Sequence, residues 1–274
     1  MNKQIILGME LRLQALAVLS LSDPQAKAQA ARTLGLHDGP VATEAELHCD
    51  QPLPGRPPRP LLVPATDVPR RSPFTTEGRA ALLHAVAHIE FNAINLALDA
   101  CWRFAGMPER YYRDWQRVAA EEALHFSLLI EHLATLGCAY GDHPAHDGLW
   151  AMTERTASDI TARMALVPRT LEARGLDATP PMQAKLAKAG DARAVAILDI
   201  ILRDEIGHVA IGNHWYGWLC ERQGLNPLAH YALLTARHQA PRLRPPFNKT
   251  ARLAAGFSGA EIAALSDAAA QAQS

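Results

Sequence analysis

Two Glu-x-x-His motifs, Glu122-Ala-Leu-His125 and Glu205-Ile-Gly-His208, each follow another glutamate at almost the same distance. Glu90 precedes Glu122 by 32 residues, and Glu172 precedes Glu205 by 33. Neither Glu-x-x-His nor Asp-x-x-His occurs elsewhere in the chain. Glu, then Glu-x-x-His, repeated once, is the ligand order of a di-metal carboxylate site built between the helices of a four-helix bundle. On a helix, positions i and i+3 lie about 60° apart on one face, so Glu122 and His125 can reach one ion, as can Glu205 and His208.

Glu90 shares its helical face with Leu83, Val86, Ala87, Ala93, Ile94 and Ala97. An ionised carboxylate on such a stripe costs several kcal/mol unless a cation pairs with it. Four carboxylates and two imidazoles make an oxygen-rich donor set. It suits two iron ions, or manganese, better than zinc, which prefers sulfur and nitrogen in a closed tetrahedron. The expected metal ligands are therefore Glu90, Glu122, His125, Glu172, Glu205 and His208. Glu121 and Asp204 precede ligand glutamates, as supporting partners or solvated neighbours.

Other chemistry-bearing residues read more plainly. His84 and His88 stand at i, i+4, but His88 points about 160° away from Glu90. The histidines of Gly141-Asp-His-Pro-Ala-His-Asp147 read as loop hydrogen-bonding groups, with Asp147 capping a helix. Trp102, Trp115, Trp150, Trp215 and Trp218 read as packing, and Tyr111, Tyr112 and Tyr216 as packing rather than redox groups. Arg56, Arg59, Arg70, Arg71, Arg242, Arg244 and Lys249 read as pins that hold extended segments, in preference to a nucleic-acid groove.

The elements that must position the six ligands are long helices. Residues 2–35 pattern as helix, interrupted at Asp23-Pro24 and stopped at Gly35. Residues 36–74 are proline-rich and extended, too apolar for a free linker, and expected to wrap a bundle surface. Four helices follow: 76–105 with Thr75 or Thr76 as cap; one opening at Pro108 and closing at Gly137; one from near Asp147 to Arg174; and one from Asp191 to Arg222. Glu172 then sits near the end of the third helix while Glu205 lies well inside the fourth. That implies an overhang of roughly 16–20 Å. Gly175-Leu-Asp-Ala-Thr-Pro-Pro181 is expected to break the third helix beside the site and form the mouth of a substrate channel, with a short helix over 182–189. Pro168 is expected to kink it one turn before Glu172. Residues 226–274 hold an extended piece, APRLRPPFN, between two short helical stretches.

Charge is nearly balanced, with 27 Lys and Arg against 28 Asp and Glu, which leaves no global electrostatic footprint for nucleic acid. The four cysteines make no CxxC and fit reduced thiols in the cytoplasm. The first twenty residues carry Glu10 and Arg12 within the apolar stretch and read as an amphipathic helix, not a signal peptide. No run of 18 apolar residues occurs, so no membrane span is expected.

The segments AAEEALHF, LEARGLDATP, ILRDEIGHVAIGNHW and PPFN resemble an uncharacterised family of ferritin-like proteins, a domain of unknown function, over roughly residues 1–260. The resemblance implies a ferritin-like fold and a di-metal site at the same six residues. More distantly, the ligand order is similar to that of ferritins, ribonucleotide reductase small subunits, bacterial multicomponent monooxygenases and tRNA hydroxylases. The expected architecture is a single all-α domain over 1–274: N-terminal helices and proline-rich wrap (1–74), four-helix bundle (75–224) and C-terminal extension (225–274). The expected function is an O2-activating oxidoreductase, a hydroxylase or oxidase, on an unknown substrate. Since no flavin or iron–sulfur motif is present, electrons come from an external donor or from the substrate. Ferroxidase or storage chemistry is the alternative. The bulky additions argue against cage packing, so a monomer or dimer is expected. A non-catalytic, metal-stabilised binding protein is the third reading.

Overall fold

The computed structural model describes residues 10–36, 38–68 and 72–271, and these are helical apart from connecting segments and one isolated bridge. The chain divides into two compact units, residues 1–150 and 151–274.

The first unit opens with α1 (Leu11–Leu19) and α2 (Pro24–Leu34). The Asp23 carboxylate accepts from Ala26 N at 2.7 Å, which satisfies one of the orphan amides at the start of α2. Gly35 ends α2 for a packing reason: a Cβ there would come within 2.5 Å of the Ala120 Cβ. Residues 38–68 are extended, as the prolines dictate, with one 3-10 turn at Ala65–Asp67. This wrap is fastened by a parallel bridge between Leu62 and Ala145. Arg12 fastens it again. Its buried guanidinium donates to the carbonyls of Ala42 and Ala45, both at 2.6 Å, and to Trp102 O at 2.9 Å. That last acceptor lies in the final turn of the following long helix, Thr76–Arg103, where a cation is favoured.

Helices α3 (Thr76–Arg103) and α4 (Glu109–Thr135) carry the first three expected ligands. Thr75 caps α3 through a bond from Gly78 N at 3.0 Å. The two helices pack along their length as a hairpin, with α1 against α3 and α2 against α4. α3 is long and apolar enough to cross a membrane by length and composition alone. However, 78% of its most apolar stretch is buried inside the protein, as befits a core helix. Its polar residues are matched by partners. Asp99, for example, pairs with Arg103 at 2.6 Å and accepts from Trp102 Nε1 at 3.2 Å.

A short helix, α5 (Gly148–Arg155), spans the division between the units. In the second unit, α6 (Ile160–Leu166), a π-helical segment (Val167–Glu172) and α7 (Ala173–Lys188) run without interruption. The expected break at Gly175–Pro181 is therefore wrong. The chain breaks instead at 156–159, before Asp159 caps α6 through Ala162 N at 2.9 Å. Residues 182–189 form no separate helix, and the channel mouth drawn from that break falls with it. Pro180 is accommodated because a partner replaces what it removes. The absent Pro180 amide leaves the Leu176 carbonyl without its helical donor, and Asn248 Nδ2 donates to that carbonyl at 3.1 Å.

α8 (Ala192–Gln223) starts at Asp191, whose side chain accepts from Ala194 N at 2.9 Å, and ends at Gly224 with φ 64°. α9 (Pro227–Arg237), α10 (Lys249–Ala254) and α11 (Gly259–Gln271) complete the unit. Ala173, Leu176, Val209, Ala251, Ala255 and Phe257 form its buried cluster, which joins α7, α8 and the C-terminal segment.

Candidate metal centre

In the first unit, Glu90 on α3 and Glu122 and His125 on α4 meet in the interior. Each is at most 3% exposed, and their ligand atoms lie within 4.8 Å of one another. His125 Nδ1 stands 3.2 Å from Glu90 Oε2 and 3.3 Å from Glu122 Oε2. Burial, followed by the neighbouring Glu122 carboxylate, raises the Glu90 pKa above the ordinary carboxylate range. Two buried carboxylates converging on one imidazole form an anionic, oxygen-rich nest that could hold a metal ion. One side of this hairpin is walled by aromatic rings: Phe126, next to His125, packs tilted against Phe91 and edge-to-face against Tyr140, with centroids 5.3 and 5.0 Å away.

In the second unit, Glu205 and His208 on α8 are buried, with His208 Nδ1 3.9 Å from Glu205 Oε1. The relation repeats that of Glu122 and His125, one helical turn apart on one face. Glu172 is also buried, at the last position of the π segment. Among the described residues, neither Glu172 nor His208 joins a group of three ligand atoms drawn that close together.

Glu172 stands on a π segment because of its neighbours. Pro168 has no amide to give the preceding turn, and its ring displaces that turn's carbonyl. Thr170 Oγ1 donates back to the Ala165 carbonyl at 2.8 Å, five residues earlier. Such single π turns concentrate at functional sites. Arg169 holds this one in place. Its buried guanidinium pairs with Glu261, donates to Asn213 Oδ1 at 2.8 Å, and lies over the rings of Tyr216 and Tyr231, both at 4.8 Å. Sequence reasoning missed Arg169, whose partners lie 44 and 92 residues away.

The remaining candidates are engaged in hydrogen bonds, ion pairs or packing. His88 faces Tyr140, with Nδ1 2.9 Å from its hydroxyl. Gly141 N donates to His84 Nε2 at 2.8 Å, and Gly148 N to His146 Nδ1 at 3.3 Å. Asp147 binds Arg56. Asp204 binds Arg203. The hydroxyl of Tyr112 donates to Phe104 O at 2.7 Å, and that of Tyr216 to Pro227 O at 2.7 Å. Trp102, Trp115, Trp150 and Trp215 are buried in packing positions. Arg70 and Arg71 lie outside the described residues.

Residues 20–263 match the model of a family described as "protein of unknown function (DUF455)". The chain belongs to the DUF455 family. A relative from Haemophilus influenzae, named only as an uncharacterized protein, is 55% identical over 213 residues, covering 75% of this chain and 74% of the relative. No solved structure matches this DUF455 chain.

Proposed function

We propose that this DUF455 protein is a ferritin-like di-metal carboxylate protein whose two Glu, Glu-x-x-His sets together hold a pair of iron ions. We propose further that it is an O2-activating oxidoreductase. The observation that carries the reading is the buried convergence of Glu90, Glu122 and His125. Two carboxylates taken out of water at such short range are strongly stabilised by a cation between them. The repeat of the same order at Glu172, Glu205 and His208 supplies the matching second set. Manganese satisfies the same donors.

When bound, a pair of reduced irons supplies electrons to O2 and so oxidises or hydroxylates a substrate. The protein's own part is to give up protons and exclude water. Glu90, held toward its protonated form by burial and by Glu122, would give up that proton where it serves as a ligand to a cation. Phe91, Phe126 and Tyr140 keep one side of the α3–α4 hairpin apolar. Arg169 and Thr170 fix the π segment that presents Glu172. Reducing equivalents come from a separate donor or from the substrate, and the working form is a monomer or dimer in the cytoplasm.

The test is to load the purified protein anaerobically with ferrous iron and admit O2. The reading expects a visible absorption band and O2 uptake, both lost in Glu122→Ala and Glu205→Ala. Iron bound without any O2-dependent change would leave a metal-stabilised binding protein. Progressive mineral formation would indicate storage.

A further inference from the structure

Apart from the metal ligands, the first unit contains a small, partly open cavity with several polar side chains in its wall. It measures about 40 Å³ and lies between the proline-rich wrap and α3, lined by Arg56, His88, Asn92, Asn95 and Tyr140 over the ring of Phe91. In the same measure a water needs roughly 10–15 Å³, so the space takes about three non-hydrogen atoms.

Behind it stands Lys27 of α2, fully buried, with Nζ donating to Asn95 Oδ1 at 2.7 Å and to Gly55 O at 2.8 Å. Both partners are neutral oxygens. A buried ammonium without an anion is costly, and burial followed by the Arg56 charge lowers the Lys27 pKa to about 7. Among the described residues that line the cavity there is no carboxylate; Asp147 pairs with Arg56 from outside the lining.

Hydrogen-bond directions turn the lining toward donation. Asn92 Nδ2 donates both to the His88 carbonyl and to His88 Nε2, each at 3.0 Å. The carbonyl fixes the orientation of the amide, so His88 Nε2 accepts and Nδ1 carries the hydrogen. Nδ1 therefore cannot accept from the Tyr140 hydroxyl 2.9 Å away, and with the His146 backbone also bonded to His88 the Tyr140 O–H is left to point elsewhere. Asn95 has given its oxygen to Lys27 and keeps its Nδ2 hydrogens. Arg56 and Lys27 add positive charge. Asn92 Oδ1 is the accepting exception, suited to an acidic O–H or C–H.

We propose that this cavity is a binding site for a small monoanionic oxyanion of the size of formate or bicarbonate, held by Arg56, Asn95 and Tyr140 and charge-balanced by Lys27. It is independent of the metal reading, since none of these residues is an expected ligand.

The test uses carbon-13 formate titrated into the full-length protein, followed by the formate NMR signal, with potassium chloride holding ionic strength constant. Saturable binding is expected, displaced by bicarbonate and accompanied by a rise in melting temperature. Tyr140→Phe removes one oxygen and should weaken it about tenfold. Lys27→Met should abolish it. Should Lys27→Met not fold, Tyr140→Phe decides alone, with circular dichroism confirming its fold. Absence of saturable binding to the wild type, binding unchanged in Tyr140→Phe, or an equal effect of chloride would overturn the proposal.

Discussion

Gly212 of α8 lies directly under Pro168 of the π segment: a Cβ on Gly212 would come within 2.6 Å of the Pro168 Cβ and 2.7 Å of its Cγ. The proline ring is rigid and cannot move aside as the end of a flexible side chain would. The close approach is what lets the π segment, with Glu172 at its end, lie flat on α8. Gly212→Ala should therefore push the segment away. The expected cost is about 1–3 kcal/mol, typical of overpacking in a core, read by urea denaturation. Metal retention should fall as well, because Glu172 moves with the segment. A variant as stable as the wild type would show that the contact imposes nothing.

Gly175 is helical and has open space where a Cβ would stand. Gly175→Ala should stabilise the protein by up to about 1 kcal/mol through lowered chain entropy. A destabilised variant would restore the view that this glycine ends a helix.

Asn248 replaces the missing donor of Pro180 at the Leu176 carbonyl and also caps α10 by accepting from Ala251 N at 3.1 Å. Asn248→Ala should cost about 1–2 kcal/mol. In Pro180→Ala the amide returns, and Asn248→Ala should then cost measurably less. Equal costs in the two backgrounds would sink the compensation argument.

The chain makes legible what local chemistry decides. Caps at Asp23, Thr75 and Asp191 and the left-handed Gly224 stand where their residue types place them. The convergence of Glu90 with Glu122 and His125 follows from spacing on two long helices. What fails to show is whatever depends on a distant partner. Pro180 and Pro181 read as a break because the residue that rescues the helix, Asn248, is 72 positions from Leu176. Nothing local marks Lys27 as buried. Its burial depends on Asn95, 68 positions away. The π segment at Pro168 is visible only as a kink, since a proline signals a lost bond and not how the turn is remade.

Acid should unfold the protein partly through His84 and His88. Both are buried and accept hydrogen bonds at Nε2, from Gly141 N and Asn92 Nδ2 respectively. Burial lowers each pKa from its ordinary value near 6.5 to about 4. Nearby positive charge from His143 adds to this at His84, and from His84, His146 and Arg56 at His88; Asp142 opposes the shift at His84. The folded state then binds fewer protons than the unfolded chain between these values. Stability from each is full above about pH 6.5 and is lost as pH falls toward 4, by up to about 1.4 kcal/mol per pH unit per histidine. His84→Gln, which keeps an acceptor for Gly141, should flatten the urea-derived stability profile over that window. An unchanged slope would remove His84 from the account.

The most direct test of the di-metal reading is metal content per chain after expression in iron-supplemented medium, by elemental analysis, for the wild type, Glu122→Ala and Glu205→Ala. The account expects about two irons per wild-type chain, with metal lost in both variants although each remains folded by circular dichroism. Metal-free wild type, or a single zinc retained in both variants, would contradict it.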